Sequence, residues 1–366
     1  MIQSGHFPQH GEYFSDPQLT AWNISENNFP AKGSNLEKLK FMLHYAILAP
    51  SSHNTQPWVF KVIDNVIELY ADRTRALLMV DPDDRALIIS CGAALYHLQL
   101  AMHHFGYADR VELFPESENK DLIAKITAID RSSKADEQST DEHSSLFYAI
   151  TKRRTNRSPF EQRKVSDDLL SALRMIAKEH SAWLEIVVDD NERKNKIADL
   201  ISQGDRIQLS DKRFRRELAA WIHPNRSKSR DGMPGYAHGM TSDIASQLGP
   251  FLIRTFDIGK GQAAKDKELA TGSPILAILG TDEDNPLDRI HAGQAIAKIL
   301  LRARVDDVWA SFMNQPIEVS DLRPKLLEAL GRNNKTGFPQ LLVRMGYSND
   351  VKPTPRRQVS EVTTIT

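Results

Sequence analysis

Residues 83–105 constrain the architecture of this chain more than any other segment. Within them Ile88, Ile89, Ala93, Leu95, Leu98, Leu100 and Ala101 recur around most faces of a helix, which Gly106 then stops. A helix with no wet side has to lie inside a core. The pattern returns in the second half: Gly92, Ala94, Leu95, Leu98 and Leu100 are matched at the same offsets by Gly293, Ala295, Ile296, Ile299 and Leu301. With strand-like flanks on both copies, this echo predicts an internal duplication. The 366 residues leave room for it, being about twice an ordinary domain.

Local signals place the remaining elements. Residues 1–33 have no clear period and read as an irregular arm. Ser34 and Glu37 form a capping-box pattern that opens a helix running to Pro50. Residues 58–63 and 66–71 are β-prone and split by Asp64-Asn65, the signature of a hairpin. Strands near 110–114 and 122–129 follow the long helix, and the polar run 131–143 reads as a linker. The first half is therefore 34–130 and the second 144–366. The second half is expected to hold helices at 145–153 and 167–178, a strand at 183–188 and two helical stretches to about Trp221. Strands at 274–280 and 340–345 and helices at 287–304 and 321–330 complete it. Residues 223–243, dense in Gly, Pro and Ser, read as a long loop or lid.

Composition narrows the function. Lys and Arg total 47 against 48 acidic residues, so no general attraction to nucleic acid or an anionic membrane follows, and any basic function must be local. Cys91 is the only cysteine and reads as a buried core thiol, which excludes an intrachain disulfide and Cys-rich metal sites. The start has no signal-peptide pattern, and no apolar run approaches the roughly 18 residues a membrane span needs, so a soluble cytoplasmic protein is expected. No metal site is expected: His103 and His104, as helix neighbours, face different directions. Gly259-Lys260-Gly261 lacks P-loop spacing and reads as a turn. Asp282-Glu283-Asp284 lacks calcium-loop spacing and reads as a solvated strand end.

Two polar clusters could carry chemistry. Ala49 to Trp58, APSSHNTQPW, falls in a helix-to-strand loop. It is either a capped turn leading into a strand or a set of neutral donors and acceptors, Ser51, Ser52, Asn54 and Gln56, suited to the edge of a planar heterocycle. Arg153 to Phe160, RRTNRSPF, offers three fixed positive charges at a defined turn. It is either a solvated helix end or a phosphate site, for which the forked guanidinium donors are well shaped.

These motifs resemble those of the nitroreductase family of FMN enzymes, where the first appears as APSSxNxQPW and the second as RR[S/T]xRxF. Pro339 to Tyr347 and the following Pro355-Arg356-Arg357 resemble the family's C-terminal segment and basic tail. The resemblance implies an α+β nitroreductase-like fold, duplicated in one chain as an intrachain pseudo-dimer that can stand as a monomer. Each motif occurs once and in reversed order, which a fused pair explains: one half supplies the loop, the other the phosphate grip, and one FMN binds per chain. RELAAWIHPNRS, DGMPGYAHG, PFLIRTFDIGKG and LATGSP are further similar to the fused Acg-type branch, from about residue 36 onward. Carried over by motif, Arg153, Arg154, Arg157 and Arg356 with Thr155 would hold phosphate. Ser51, Ser52, Asn54 and Gln56 would meet flavin or ribityl, and Ser311, within 310–313, would lie by the reactive edge. The implied activity is NAD(P)H-driven reduction of a nitro-aromatic, quinone or similar small acceptor, with no catalytic side chain needed beyond the flavin. Two alternatives stand beside it: a protein that binds or sequesters FMN under a lid, and an interaction module without flavin.

Overall fold

The computed structural model describes residues 16–131, 141–332 and 337–365. Residues 1–15 of the expected irregular arm and 132–140 of the linker lie outside the described residues. Helix α1 (Asn35–Ala46) starts at the anticipated box, with Ser34 Oγ accepting from Glu37 N at 3.3 Å and Ser34 N donating to Glu37 Oε2 at 2.7 Å. Strands β1 (Trp58–Ile63) and β2 (Val66–Ala71) form the hairpin, with Asp64 in left-handed geometry at φ 51°. Then come α2 (Arg85–His104), β3 (Tyr107–Leu113) and β4 (Leu122–Asp130).

The second half runs α3 (Asp141–Ile150), α4 (Asp167–Glu179), β5 (Ala182–Val187), α5 (Asn191–Ser210), α6 (Lys212–Ala220), β6 (Ile222–His223), β7 (Met233–Pro234), α7 (Asp243–Thr255) and α8 (Gly259–Thr271). It continues through β8 (Ile275–Thr281), α9 (Pro286–Val305), β9 (Trp309–Phe312), the short α10 (Gln315–Glu318) and α11 (Arg323–Ala329), β10 (Phe338–Gly346), α12 (Val359–Val362) and β11 (Thr363–Ile365).

The two main sheets repeat one plan. The first has the order β11-β1-β2-β4-β3 and the second β5-β8-β10-β9, so β1-β2-β4-β3 and β5-β8-β10-β9 correspond strand by strand. All neighbours in them are antiparallel except β11, which joins β1 in parallel. In each half a 20-residue helix, α2 or α9, links the second strand of the plan, β2 or β8, to the outermost, β3 or β9. The second half departs from the plan by inserting α5–α8, with the small β6–β7 ladder, between β5 and β8.

Helices α2 and α9 pack on each other at the centre, and the contact is reciprocal. A Cβ on Gly92 would lie 2.4 Å from the Ile290 carbonyl oxygen, and one on Gly293 would lie 2.2 Å from the Ile89 carbonyl oxygen. The glycines matched by the sequence echo thus face each other at the crossing, where only their missing side chains let the backbones meet. By length and composition α2 is apolar enough to cross a membrane, contrary to the sequence expectation, yet 89% of that stretch is buried inside the fold.

Four further readings need correction. Residues 141–143, placed in the linker, already belong to α3. Gly259-Lys260-Gly261 is the first turn of α8 rather than a free turn, because the Asp257 side chain accepts from Gly259 N at 2.8 Å. Asp284 is no solvated strand end: it is half-buried between Arg289 and Arg323 and accepts from Gln340 Nε2 at 3.0 Å. Neither α7 nor the body of α8 was anticipated, as no element was expected between the 223–243 segment and the strand at 274. Cys91 is fully buried, and His103 and His104 part as anticipated, one toward Asp109 and the other stacked on Phe147 at 3.6 Å.

Candidate functional site

The 49–58 loop is bent by three residues with positive φ: His53 at 48°, Asn54 at 55° and Gln56 at 52°. Such geometry costs about 1–3 kcal/mol per non-glycine residue, less for asparagine, and persists only where the surroundings fix it. Here they do. Ser51 Oγ accepts from Gln56 N at 2.9 Å, closing the loop on itself. Asn54 Nδ2 donates to the Gly232 and Pro355 carbonyls at 2.8 and 3.0 Å, and its Oδ1 accepts from Arg356 at 2.7 Å. Gln56 Nε2 donates to Arg230 O at 2.9 Å, and its Oε1 accepts from Arg357 N at 2.8 Å.

Both amides are thus spent on the protein itself. They tie the loop to the tail at 355–357 on one side and to residues 230–232 of the 223–243 segment on the other, whereas the resemblance implied contact with a flavin. Ser51 and Ser52 remain half-buried beside them.

The arginines divide into two kinds. Arg154 donates to Asp350 at 2.5 Å and lies over the Trp22 ring, so it has a carboxylate of its own. Arg153 and Arg356 are 2% and 3% exposed, and neither they nor Arg157 form an ion pair among the described residues. Arg153 donates to the Leu48 carbonyl at 3.1 Å; Arg356 donates to Asn54 and Thr354 and stacks on Trp22 at 5.0 Å. The Nε atoms of Arg153 and Arg356 have no partner. Burial pulls the Arg153 guanidinium down to about 10, and it pulls Arg356 well below its ordinary value, where repulsion from Arg153 adds to it. Two neighbouring buried cations without an acid are costly, and an anion placed between them would remove that cost.

Thr155 pairs with Ala310 in an isolated parallel bridge, and Asn156 N donates to Ala310 O at 3.0 Å. That joins the arginine turn to β9, where Ser311 is buried opposite Arg344 of β10. Arg157 reaches the Met233 sulfur of the 223–243 segment at 3.7 Å. Burial and the Arg157 charge hold His53 down at about 4, and the same two causes keep His238 well below its usual range. His97, fully buried behind the arginines, is held at about 3 by burial and by Arg153.

Sequence reasoning missed His53, His97, Arg344 and the contact of lid with loop. His53 lay inside the quoted motif and could have been flagged. The others depend on partners between 52 and 186 residues away.

No family model matches the chain. Two proteins of Mycobacterium tuberculosis are similar to it over nearly its whole length. Rv3131, which carries a provisional NAD(P)H nitroreductase name, is 29% identical over 341 residues, covering 89% of this chain and 91% of the relative. The protein called acg, provisionally named in the same way, is 26% identical over 328 residues, covering 88% and 94%. Among solved structures, the FMN-dependent nitroreductase NfnB of Mycobacterium smegmatis, in complex with NADPH, aligns with 62% of this chain and all of its own at 16% identity and a TM-score of 0.41. The similarity to the two mycobacterial relatives extends well beyond the three short motifs, over 341 and 328 residues.

Proposed function

We propose that this chain is an FMN-dependent oxidoreductase of nitroreductase type, passing electrons from NAD(P)H through one FMN to a nitro-aromatic, quinone or similar acceptor. The observation that carries the reading is the buried Arg153–Arg356 pair. It has no acid partner among the described residues, leaves two Nε donors unpartnered, and sits where the 49–58 loop of one half meets the turn and tail of the other. A phosphate group fits that electrostatic gap, and forked guanidinium donors suit its oxygens. Nitroreductase-named relatives spanning about nine-tenths of the chain support the same assignment.

When bound, the flavin supplies the hydride chemistry. The protein's part is to hold and orient. Arg153 and Arg356 grip the phosphate, with Arg157 and Thr155 beside them. Ser51 and Ser52 offer hydroxyls to the ring or ribityl, and Ser311 stands on the β9 edge. Asn54 and Gln56 act one step back, fixing the loop and Arg356 rather than touching the ring, and Arg154 braces the turn through Asp350. The matching strand orders and the reciprocal Gly92–Gly293 crossing support a duplicated fold in which 34–130 and 144–366 form an intrachain pseudo-dimer with a single working site.

A second reading, FMN binding with little turnover, is favoured by one specific observation. Lid residues Arg230 and Gly232 are hydrogen-bonded directly to the loop, and Met233 touches Arg157. A lid seated there would keep nicotinamide from the ring. Anaerobic mixing with NADPH or NADH separates the two: rapid bleaching of the flavin absorbance is expected of the reductase, and a yellow protein that stays oxidised would assign sequestration. Colourless protein that takes up no FMN would refute both.

A further inference from the structure

The face built by α6 and α7 lies outside the site above. Helix α7 is apolar on both sides. Its inner face, Ser246, Gly249 and Ile253, is buried against the lid, where Ser246 Oγ accepts from Asn225 N at 3.1 Å and Gly249 abuts Met240. On the outer face Ile244, Leu248, Phe251 and Leu252 fall on one helical stripe and are 72%, 52%, 51% and 45% exposed. Phe256, 55% exposed, and Ile258 carry the stripe past the helix end. A contiguous apolar stripe of this kind on the outside of a soluble fold marks an interaction surface.

The rim of the stripe is cationic. Thr255, on the same stripe, and Arg254 line an open cleft of about 600 Å³ with Lys212, Arg215 and Arg216 of α6. Arg215 is buried, donates to the Leu209 and Ser210 carbonyls at 2.7 and 3.1 Å, and keeps an unpartnered Nε. Lys212, Arg216 and Arg254 are exposed and form no ion pair among the described residues. The nearby acids are already engaged, Asp211 with Arg213 and Asp257 with Gly259 N. The formal net charge of the whole chain is −1, so this positive field is local.

We propose that the α6–α7 face docks the protein on an anionic lipid bilayer, the stripe entering the headgroup boundary and the cleft receiving lipid phosphates. Large apolar side chains on one face of a helix with unpaired Lys and Arg alongside are the chemistry of an interfacial helix. The stripe stands on the outside of a helix instead of lining a groove, which suits a fluid surface. A second copy fits worse, because a two-fold contact would set the cationic rim against itself.

Flotation of the purified full-length chain with vesicles tests this. Binding is expected to phosphatidylcholine vesicles containing phosphatidylglycerol, to weaken as salt rises, and to be slight with phosphatidylcholine alone. Phe251→Glu should lower partitioning tenfold or more. Arg216→Gln with Arg254→Gln should lower it roughly five-fold per charge removed, and, being on exposed side chains, this pair serves if Phe251→Glu fails to fold. Circular-dichroism melting of both variants should match the parent. Three results overturn the proposal: no association with anionic vesicles at low salt, equal binding by parent and variants, or a solution dimer that Phe251→Glu converts to a monomer.

Discussion

Gly92→Ala tests the central helix crossing, and its cost can be worked from the contact itself. The added Cβ would lie 2.4 Å from Ile290 O and 3.1 Å from Gly293 Cα, where ordinary contact begins near 3.4 Å, so α2 and α9 must part by about 1 Å. A gap of that size forfeits about a quarter to a half of each dispersion contact along the interface. Overpacking of a rigid core costs about 1–3 kcal/mol, and a clash with backbone belongs at the upper end. Alanine returns about 0.5–1 kcal/mol of helix propensity. The net expectation is a loss of about 2 kcal/mol. Gly293→Ala meets Ile89 O at 2.2 Å across the same crossing and should cost about as much. One separation accommodates both methyl groups, so the double variant should lose about 1–2 kcal/mol instead of the additive value of about 4 kcal/mol. Urea unfolding followed by circular dichroism reads all four stabilities from midpoints at a shared slope. Single variants within about 0.5 kcal/mol of the parent, or strict additivity, would refute a reciprocal crossing.

Arg153→Ala should weaken FMN retention by about 1.5–3 kcal/mol, the range of a charge-assisted bond, and unchanged affinity in a fluorescence titration would remove Arg153 from the phosphate grip. Asn54→Ala removes the ties to Gly232, Pro355 and Arg356; faster flavin bleaching by NADPH is expected as the lid loosens, and an unchanged rate would mean that the lid does not gate access. His97 stays neutral in the fold at about 3 and ionises on unfolding near its ordinary 6.5. Its stabilising effect is therefore complete above that value and is lost as pH falls toward 3. The stability of the parent relative to His97→Gln should fall by about 2–3 kcal/mol between about pH 7 and about pH 4.5, and a flat difference would show that the ring is not held neutral.

What the sequence disclosed was what neighbours decide. The Ser34–Glu37 box, the turn at Asp64-Asn65 and the apolar wrap of α2 are each set within a few residues, and each formed as anticipated. The Gly92 and Gly293 echo carried further, because a crossing of two backbones leaves a visible mark in both. Asn54 and Gln56 misled for the opposite reason. Their donors and acceptors look free in a loop, yet their partners stand at 230–232 and 355–357, separations over which no local pattern exists. Arg154 looked equivalent to Arg153 until Asp350 was brought beside it. Clustered charge in sequence cannot tell a cation with its own acid from one left without.

The parallel pairing of β11 with β1 sets an order of events during synthesis. Phe60 aligns with Thr363, so a strand made early waits about 300 residues for its edge partner. Closing a loop of that length is slow but adds little entropic cost beyond a shorter one. In the interval the first sheet shows an open edge, the feature most prone to pairing with another chain. The same late segment delivers Arg356 to Asn54. If Arg153 and Arg356 hold a phosphate as proposed, a nascent chain would have no complete grip until the tail has reached the 49–58 loop, and cofactor uptake would report a finished protein.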